Sequence, residues 1–260
     1  MNCAFCLSKE KTTKEHLLSK PICDGLGIER STLVASMDGR TGELSRGSSL
    51  DRKSVRLPCK SCNSRWMSKL EGNTAQTLNR WLERPDEPLT SVGLRHVVRW
   101  LAKTALVLTF AENEARRFMT SPTQTAIPDI TTAKAVAANG PLKHVRVAAA
   151  QTEDSSVLWG VGNPTVLPRG PDRISSRAIN VASMNLGQLQ LWVVVPLVPP
   201  DDIQLPAGVT PLHEDLAFGA LATRAGSLDP TQVVATYSDR TTAAFLRAMA
   251  AAQHALATGR

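Results

Sequence analysis

Residues 59–71 read Cys59-Lys60-Ser61-Cys62-Asn63-Ser64-Arg65-Trp66-Met67-Ser68-Lys69-Leu70-Glu71, and their reading decides the fold of the first third of the chain. Two thiols at Cys-x-x-Cys spacing can grip one tetrahedral ion without strain. Behind them Trp66, Met67, Leu70, Leu78, Trp81 and Leu82 recur at helical spacing. The pair is therefore expected to lead straight into a helix of about five turns, which Gly72 and Asn73 could interrupt. The N-terminus of that helix would meet the ion, where free N–H groups and a partial positive charge favour thiolate. A second pair, Cys3 and Cys6, opens the chain. In a reducing compartment, two such pairs favour a structural zinc ion over disulfides. Fifty-two residues separate Cys6 from Cys59, far more than the roughly 15–20 of a compact zinc ribbon, so further structure must fit between the pairs. A thiol knuckle, a connecting hairpin and a helix donating the last ligands amount to a treble-clef arrangement. Cys23 lies outside both pairs and reads as a small, partly buried hydrophobe.

Charge gathers on the same segment. Residues 1–84 hold 15 Lys and Arg against 9 Asp and Glu, a surplus of six, whereas residues 85–260 hold 15 against 14. A local basic surplus suits a polyanion, because each Lys or Arg that neutralises a phosphate releases a condensed counterion. With 42% hydrophobic and 20% charged residues, wholesale disorder and fibrous repeats are excluded. The longest strongly apolar run, residues 189–198, is broken by Pro196 and falls short of the roughly 20 residues that cross a bilayer. The first residues, with Cys3, Cys6, Lys9, Glu10 and Lys11, are unlike a signal peptide. A cytoplasmic location with no membrane partner is the expectation.

The run Arg84-Pro85-Asp86-Glu87-Pro88 carries two prolines that remove backbone donors and disfavour helix before them. It divides an N-terminal zinc unit, residues 1–84, from a second unit, residues 89–260. In the second unit Leu94, Val97, Val98, Leu101, Ala102, Ala105, Leu106, Leu108 and Phe110 predict a well-buried helix over roughly residues 91–118. Short runs rich in Val, Ile and Leu at residues 145–150, 157–161, 179–184 and 189–195 predict an antiparallel sheet whose order allows a meander. An Ala-rich closing segment, about residues 241–258, should be helical. The expected fold class is α+β. Of the histidines, His96, His144, His213 and His254 lack a partner at ligand spacing and read as structural. Gly160-Val161-Gly162 lacks the other glycines of a nucleotide-binding loop, and no Gly-x-Ser-x-Gly elbow is present.

Between the thiol pairs stands Lys14-Glu15-His16-Leu17-Leu18-Ser19-Lys20-Pro21. The order Cys-x-x-Cys, Glu-His-Leu-Leu-x-x-Pro, then Cys-x-x-Cys-Asn-x-x-Trp-Met-x-x-Leu-Glu resembles the HNH endonucleases, in their zinc-bracketed branch, over residues 3–71. The resemblance implies a ββα-metal motif in which Glu15 and Asn63 hold a catalytic magnesium or manganese ion, His16 is the general base, and the four cysteines hold structural zinc. It implies a nucleic acid substrate, DNA in the first place. Those residue types suit phosphodiester hydrolysis, which uses oxygen ligands for a hard cation and an imidazole that titrates near neutrality. Arg65, Lys69, Lys60 and Lys14 are candidate phosphate contacts. The family's usual Asn before the second thiol pair is missing from Lys53-Ser54-Val55-Arg56-Leu57-Pro58, and the acid is Glu15 where the best-described members have Asp. Glu71, about 12 Å along the helix axis from Asn63, is expected to pair on the helix surface. Thr12-x-x-Glu15 also fits a capping box, which would make Glu15 a helix start. A non-catalytic zinc module that binds nucleic acid or a protein uses the same cysteines and is the alternative function.

Overall fold

The computed structural model describes residues 3–25, 30–37, 40–49, 54–84, 87–116, 130–142, 144–152, 158–162, 165–168, 179–186, 188–196, 201–212 and 233–237. The expected closing helix at residues 241–258 lies outside them, as do His213 and His254. The fold class is α+β, as expected.

Strand β1 (Thr12–His16) pairs antiparallel with β4 (Ser54–Cys59), with Glu15 opposite Val55 and His16 opposite Ser54. Thr12–His16 is thus extended, and the capping-box reading of Thr12-x-x-Glu15 gives way to a strand. The short helix α1 (Lys20–Gly25) follows β1. Directly after β4 the chain turns into α2 (Lys60–Cys62), a π-helical stretch (Asn63–Met67) and α3 (Ser68–Glu83). The helix after the second thiol pair is therefore present, and Gly72 and Asn73 do not interrupt it. Leu70, Thr74, Ala75, Leu78 and Trp81 form its buried face, the i, i+4 stripe of an amphipathic helix. A Cβ built on Gly72 meets nothing within 4 Å.

Helix α4 (Ser91–Arg116) is the centre of the molecule. From Val97 to Thr109 every side chain is buried, and α4 packs against α3, β4 and the sheet strands β6, β8 and β9. Helix α5 (Ile130–Ala137) packs beside it. The main sheet has seven strands in the order β11-β5-β9-β8-β6-β2-β3. Its members are β2 (Arg30–Met37), β3 (Arg40–Ser49), β5 (Arg146–Gln151), β6 (Leu158–Gly162), β8 (Ile179–Leu186), β9 (Leu189–Pro196) and β11 (Thr210–Leu212). A smaller sheet joins β10 (Asp202–Gln204), β12 (Val234–Tyr237) and β7 (Thr165–Pro168).

The four expected strands are found, and their pairs are antiparallel, but they do not run as a meander: β5 lies against β9, and β6 against β8. Hairpin formation between β8 and β9 places the later strands between the earlier two. The expected division at Arg84–Pro88 is crossed by the sheet itself. Strands β2 and β3, from between the thiol pairs, extend the seven-stranded sheet through a parallel pairing of β2 with β6. Residues 45–49 lie within β3, where register shifts absorb the extra residues. Among the described residues no helix is long and apolar enough to cross a membrane.

Open space at Gly72, inside a sixteen-residue helix, generates a simple expectation. Gly72→Ala should stabilise the protein by about 0.5–1 kcal/mol, read as a higher thermal midpoint by circular dichroism. A lower midpoint would mean that α3 needs glycine there for another reason.

Candidate metal centre and the residues around it

The four cysteines Cys3, Cys6, Cys59 and Cys62 converge, with all ligand sulfurs within 4.8 Å of one another. Cys6 and Cys59 Sγ are 3.6 Å apart, and Cys3 and Cys62 Sγ 3.8 Å. Four sulfurs at 2.3 Å from one zinc ion at tetrahedral angles stand about 3.8 Å apart. The cluster fits the ion, and these thiols can hold it. Local backbone geometry builds the site. The Cys59 N–H points at Cys3 Sγ at 3.2 Å, and the Cys62 N–H at Cys59 Sγ at 3.4 Å. In the first knuckle the Leu7 N–H donates to the Cys3 carbonyl at 2.9 Å, with Leu7 at φ 60°. A non-glycine residue in that left-handed region costs about 1–2 kcal/mol, tolerated where surrounding contacts leave no alternative. Phe5 and Trp66 meet edge to face at 5.5 Å, and Met67 and Trp81 are buried. These side chains pack the helix rather than face solvent.

Protonation without the ion follows the surroundings. Burial raises Cys6, but hydrogen bonds from Ser8 and neighbouring thiols outweigh it and bring Cys6 down to about 6. Burial pushes Cys59 and Cys62 up, so ion binding there must displace protons. Cys23 stays apart, buried and raised to about 11, first by desolvation. Such a thiol is inert.

Around the knuckles, β1 and the helix start are joined by one side chain. Asn63 Nδ2 donates to the Lys14 carbonyl at 2.9 Å and to Thr13 Oγ1 at 3.0 Å. Thr13 Oγ1 in turn donates to the Pro58 carbonyl at 3.1 Å. Asn63 is thereby brought to Thr13 and Lys14, although 49 positions separate it from Lys14 in sequence. Strand alternation puts Lys14 and His16 on the solvent face and Glu15 on the buried face. Arg56 stands opposite Lys14 and is also exposed. Lys60, Arg65 and Lys69 are exposed on the helical segments. The clefts along α3, of about 340 and 500 Å³, are lined by residues such as Asn73, Gln76, Arg80, Glu83 and His96 and contain no member of this group.

Glu15 goes elsewhere. Its Oε1 accepts a hydrogen bond from Lys103 Nζ at 2.5 Å, and the same ammonium donates to Glu71 Oε1 at 2.5 Å. Lys103 is 1% exposed, and Glu15 and Glu71 are 4% and 11% exposed as side chains. Glu15 is thus bonded to Lys103 on the buried face of β1, and Glu71 is a buried ion-pair partner instead of a helix-surface one. Burial raises the Glu15 carboxyl, opposed by Lys103 and reinforced by the nearby Glu71. For Lys103 burial pulls down, but the two carboxylates prevail and hold the ammonium above its ordinary value. Reading from sequence missed Lys103. The available signal was a lone lysine in Trp100-Leu101-Ala102-Lys103-Thr104-Ala105-Leu106, because a charge on a helix that is apolar all round needs a buried partner.

Two expectations follow from these geometries. The purified protein should carry one equivalent of zinc, and Cys59→Ser should lose both the metal and the cooperative unfolding transition, since a structural zinc site contributes about 10–16 kcal/mol. A Cys59→Ser protein that keeps stoichiometric zinc and a sharp transition would overturn the assignment of the cluster. For the triad, a raised folded-state carboxyl stabilises the protein below its ordinary value of 4.5, and that contribution disappears as pH rises through the folded value. Glu15→Gln removes this loss while keeping an acceptor for Lys103 and a neighbour for Glu71. The stability of the variant relative to wild type should therefore increase with pH above 4.5, measured by urea unfolding at several pH values; a constant difference would contradict it. Compared with family models, characterised proteins and solved structures, the chain matches none, so its function rests on this geometry and on the motif.

Proposed function

We propose that the chain is an HNH-type endonuclease that hydrolyses phosphodiester bonds in nucleic acid, DNA in the first place, on a zinc-stabilised treble-clef frame. The observation that carries the reading is the Asn63 bridge to the Lys14 carbonyl, which sets the helix after the second thiol pair against the strand that ends in exposed His16. The strand pair links the thiol cluster and helix start, at its Thr12–Cys59 end, to exposed His16 at its other end opposite Ser54, on the segment that holds the chain's basic surplus.

His16 accepts the proton of a water molecule as that oxygen attacks phosphorus. A new P–O bond forms as the bond to the 3′-oxygen breaks, the departing 3′-oxygen takes a proton from solvent water, and a 5′-phosphate remains. Lys14, Lys60, Arg65 and Lys69 lie against the phosphate backbone and supply the salt-dependent part of binding. The magnesium or manganese ion that the motif implies finds only part of its expected ligand set: Asn63 is at the site, whereas Glu15 is bound into the triad with Lys103. With Glu15 bonded to Lys103, Glu15 and Asn63 as a pair do not fit the ion.

The placement of Glu15 favours one second reading, a zinc module that binds nucleic acid without cleaving it. Supercoiled plasmid separates the two. The expected result is cleavage with magnesium or manganese, none with EDTA, and a fall of about 10²–10⁴-fold in His16→Ala with zinc retained. Equal behaviour of wild type and folded His16→Ala, with DNA bound but uncut, would support the binding module instead.

A further inference from the structure

We infer that Lys103 is a positioning residue for the proposed cleavage site, and that Glu15 is its anchor and not a ligand of the catalytic ion; the inference rests on the endonuclease reading of His16. Three elements meet at Lys103. Glu15 comes from β1, Glu71 from α3 and Lys103 from the middle of α4, with sequence separations of 88 and 32 residues. The ammonium is out of contact with water, and each carboxylate lies 2.5 Å from it.

Glu15 and His16 are neighbours on a strand, so their side chains leave opposite faces. The inner face is closed by α4, and the outer face is open to solvent. For Glu15 to reach an ion beside His16, its carboxylate would have to leave Lys103 and cross the plane of the β1–β4 ribbon. Moving outward would also leave the ammonium with Glu71 alone in a site without water. The tether therefore divides the work of the dipeptide. Glu15 pulls β1 onto α4, and that pull sets where the next side chain, His16, stands on the outer face. Asn63 also holds this strand, at the Lys14 carbonyl, so the segment carrying the base is clamped at consecutive residues. One consequence concerns the extent of the catalytic unit. The positioning ammonium lies beyond the Arg84–Pro88 segment, so residues 1–84 alone lack a part of the site.

The test uses the full-length, zinc-loaded protein with Glu15→Gln and the double variant Glu15→Gln/Lys103→Met, each checked for zinc content and far-ultraviolet circular dichroism. Glutamine still accepts a hydrogen bond from Lys103, so Glu15→Gln should cut plasmid within about threefold of wild type. Loss of cleavage in a folded, zinc-loaded Glu15→Gln protein would make Glu15 an ion ligand and overturn the inference. The double variant removes the tether without leaving the Glu15 charge unmatched. Its kcat should fall on the order of 10- to 100-fold with KM nearly unchanged, the effect of a misplaced catalytic group. A wild-type kcat in the folded double variant would reduce Lys103 to a purely structural role. Should wild type fail to cut any substrate, the endonuclease reading falls by itself, and the tether is read from the His16 Cε1–H resonance. That resonance should match wild type in Glu15→Gln and shift in the double variant; an unshifted resonance there overturns the tether as well.

Discussion

A buried ammonium held between two buried carboxylates is the contact on which the arrangement of this protein turns. Taking an ion from water into a protein interior costs several kcal/mol, and the cost is recovered only when the partners are correctly placed. Lys103 sits on a largely apolar helix, and its buried charge favours one arrangement of its neighbours, with Glu15 on β1 and Glu71 on α3 both facing it. Apolar packing alone would tolerate sliding of α3 along α4, because hydrophobic contact has no direction. An ammonium with two acceptors has direction. It sets the rotation of α3 about its axis, the face that β1 turns inward, and thereby the face that β1 turns to solvent.

The thiol cluster imposes the second constraint, and it acts on the same two elements from the opposite end. Cys59 closes β4 and its sulfur accepts from the Cys62 N–H, so strand end, helix start and ion site are one local structure. The π-helical stretch begins at the next residue, Asn63. Wider turns of this kind recur where a helix must reposition a side chain, and here Asn63 reaches back to β1 while Met67 and Leu70 remain in the core. With the cysteines at one end and Lys103 beneath, the β1–β4 ribbon is held firmly although it has only two strands, a number that is marginal in isolation.

Local patterns in the sequence were readable to the extent that local physics determines the outcome. Cys-x-x-Cys spacing revealed the thiol cluster, apolar runs bounded by Gly, Pro and Asn located β5, β6, β8 and β9, and a 3.6-residue period marked α3 and α4 within a few residues. Nonlocal pairing was not readable. Nothing in residues 30–49 announces that β2 will lie parallel to β6, because a parallel partner leaves no turn signal between the strands it joins. The meander failed because β5 pairs antiparallel with β9 across 37 intervening residues, a nonlocal pairing that leaves no turn signal between them. Glu71 illustrates a different limit. Its place on the helix was read correctly, but whether that face meets water depends on α4, which the spacing around Glu71 does not report.

Alternation along a strand bears hardest on the Glu15-His16 dipeptide. Two adjacent side chains on regular β-structure cannot converge on one ion unless the strand twists sharply or ends between them. β1 ends at His16, which would leave room for convergence, and the burial pattern nevertheless alternates through the last residue. The explanation lies in the partner each side chain finds. Glu15 meets a buried cation, an interaction stronger than any available at a solvated surface, while the His16 imidazole faces water. Charge thus sorts the pair: the permanently costly group goes inward to its counterion, and the group suited to exchanging protons with solvent is left at the surface. The general base proposed at His16 would use that second position, with the proposed tether in the acid directly behind it.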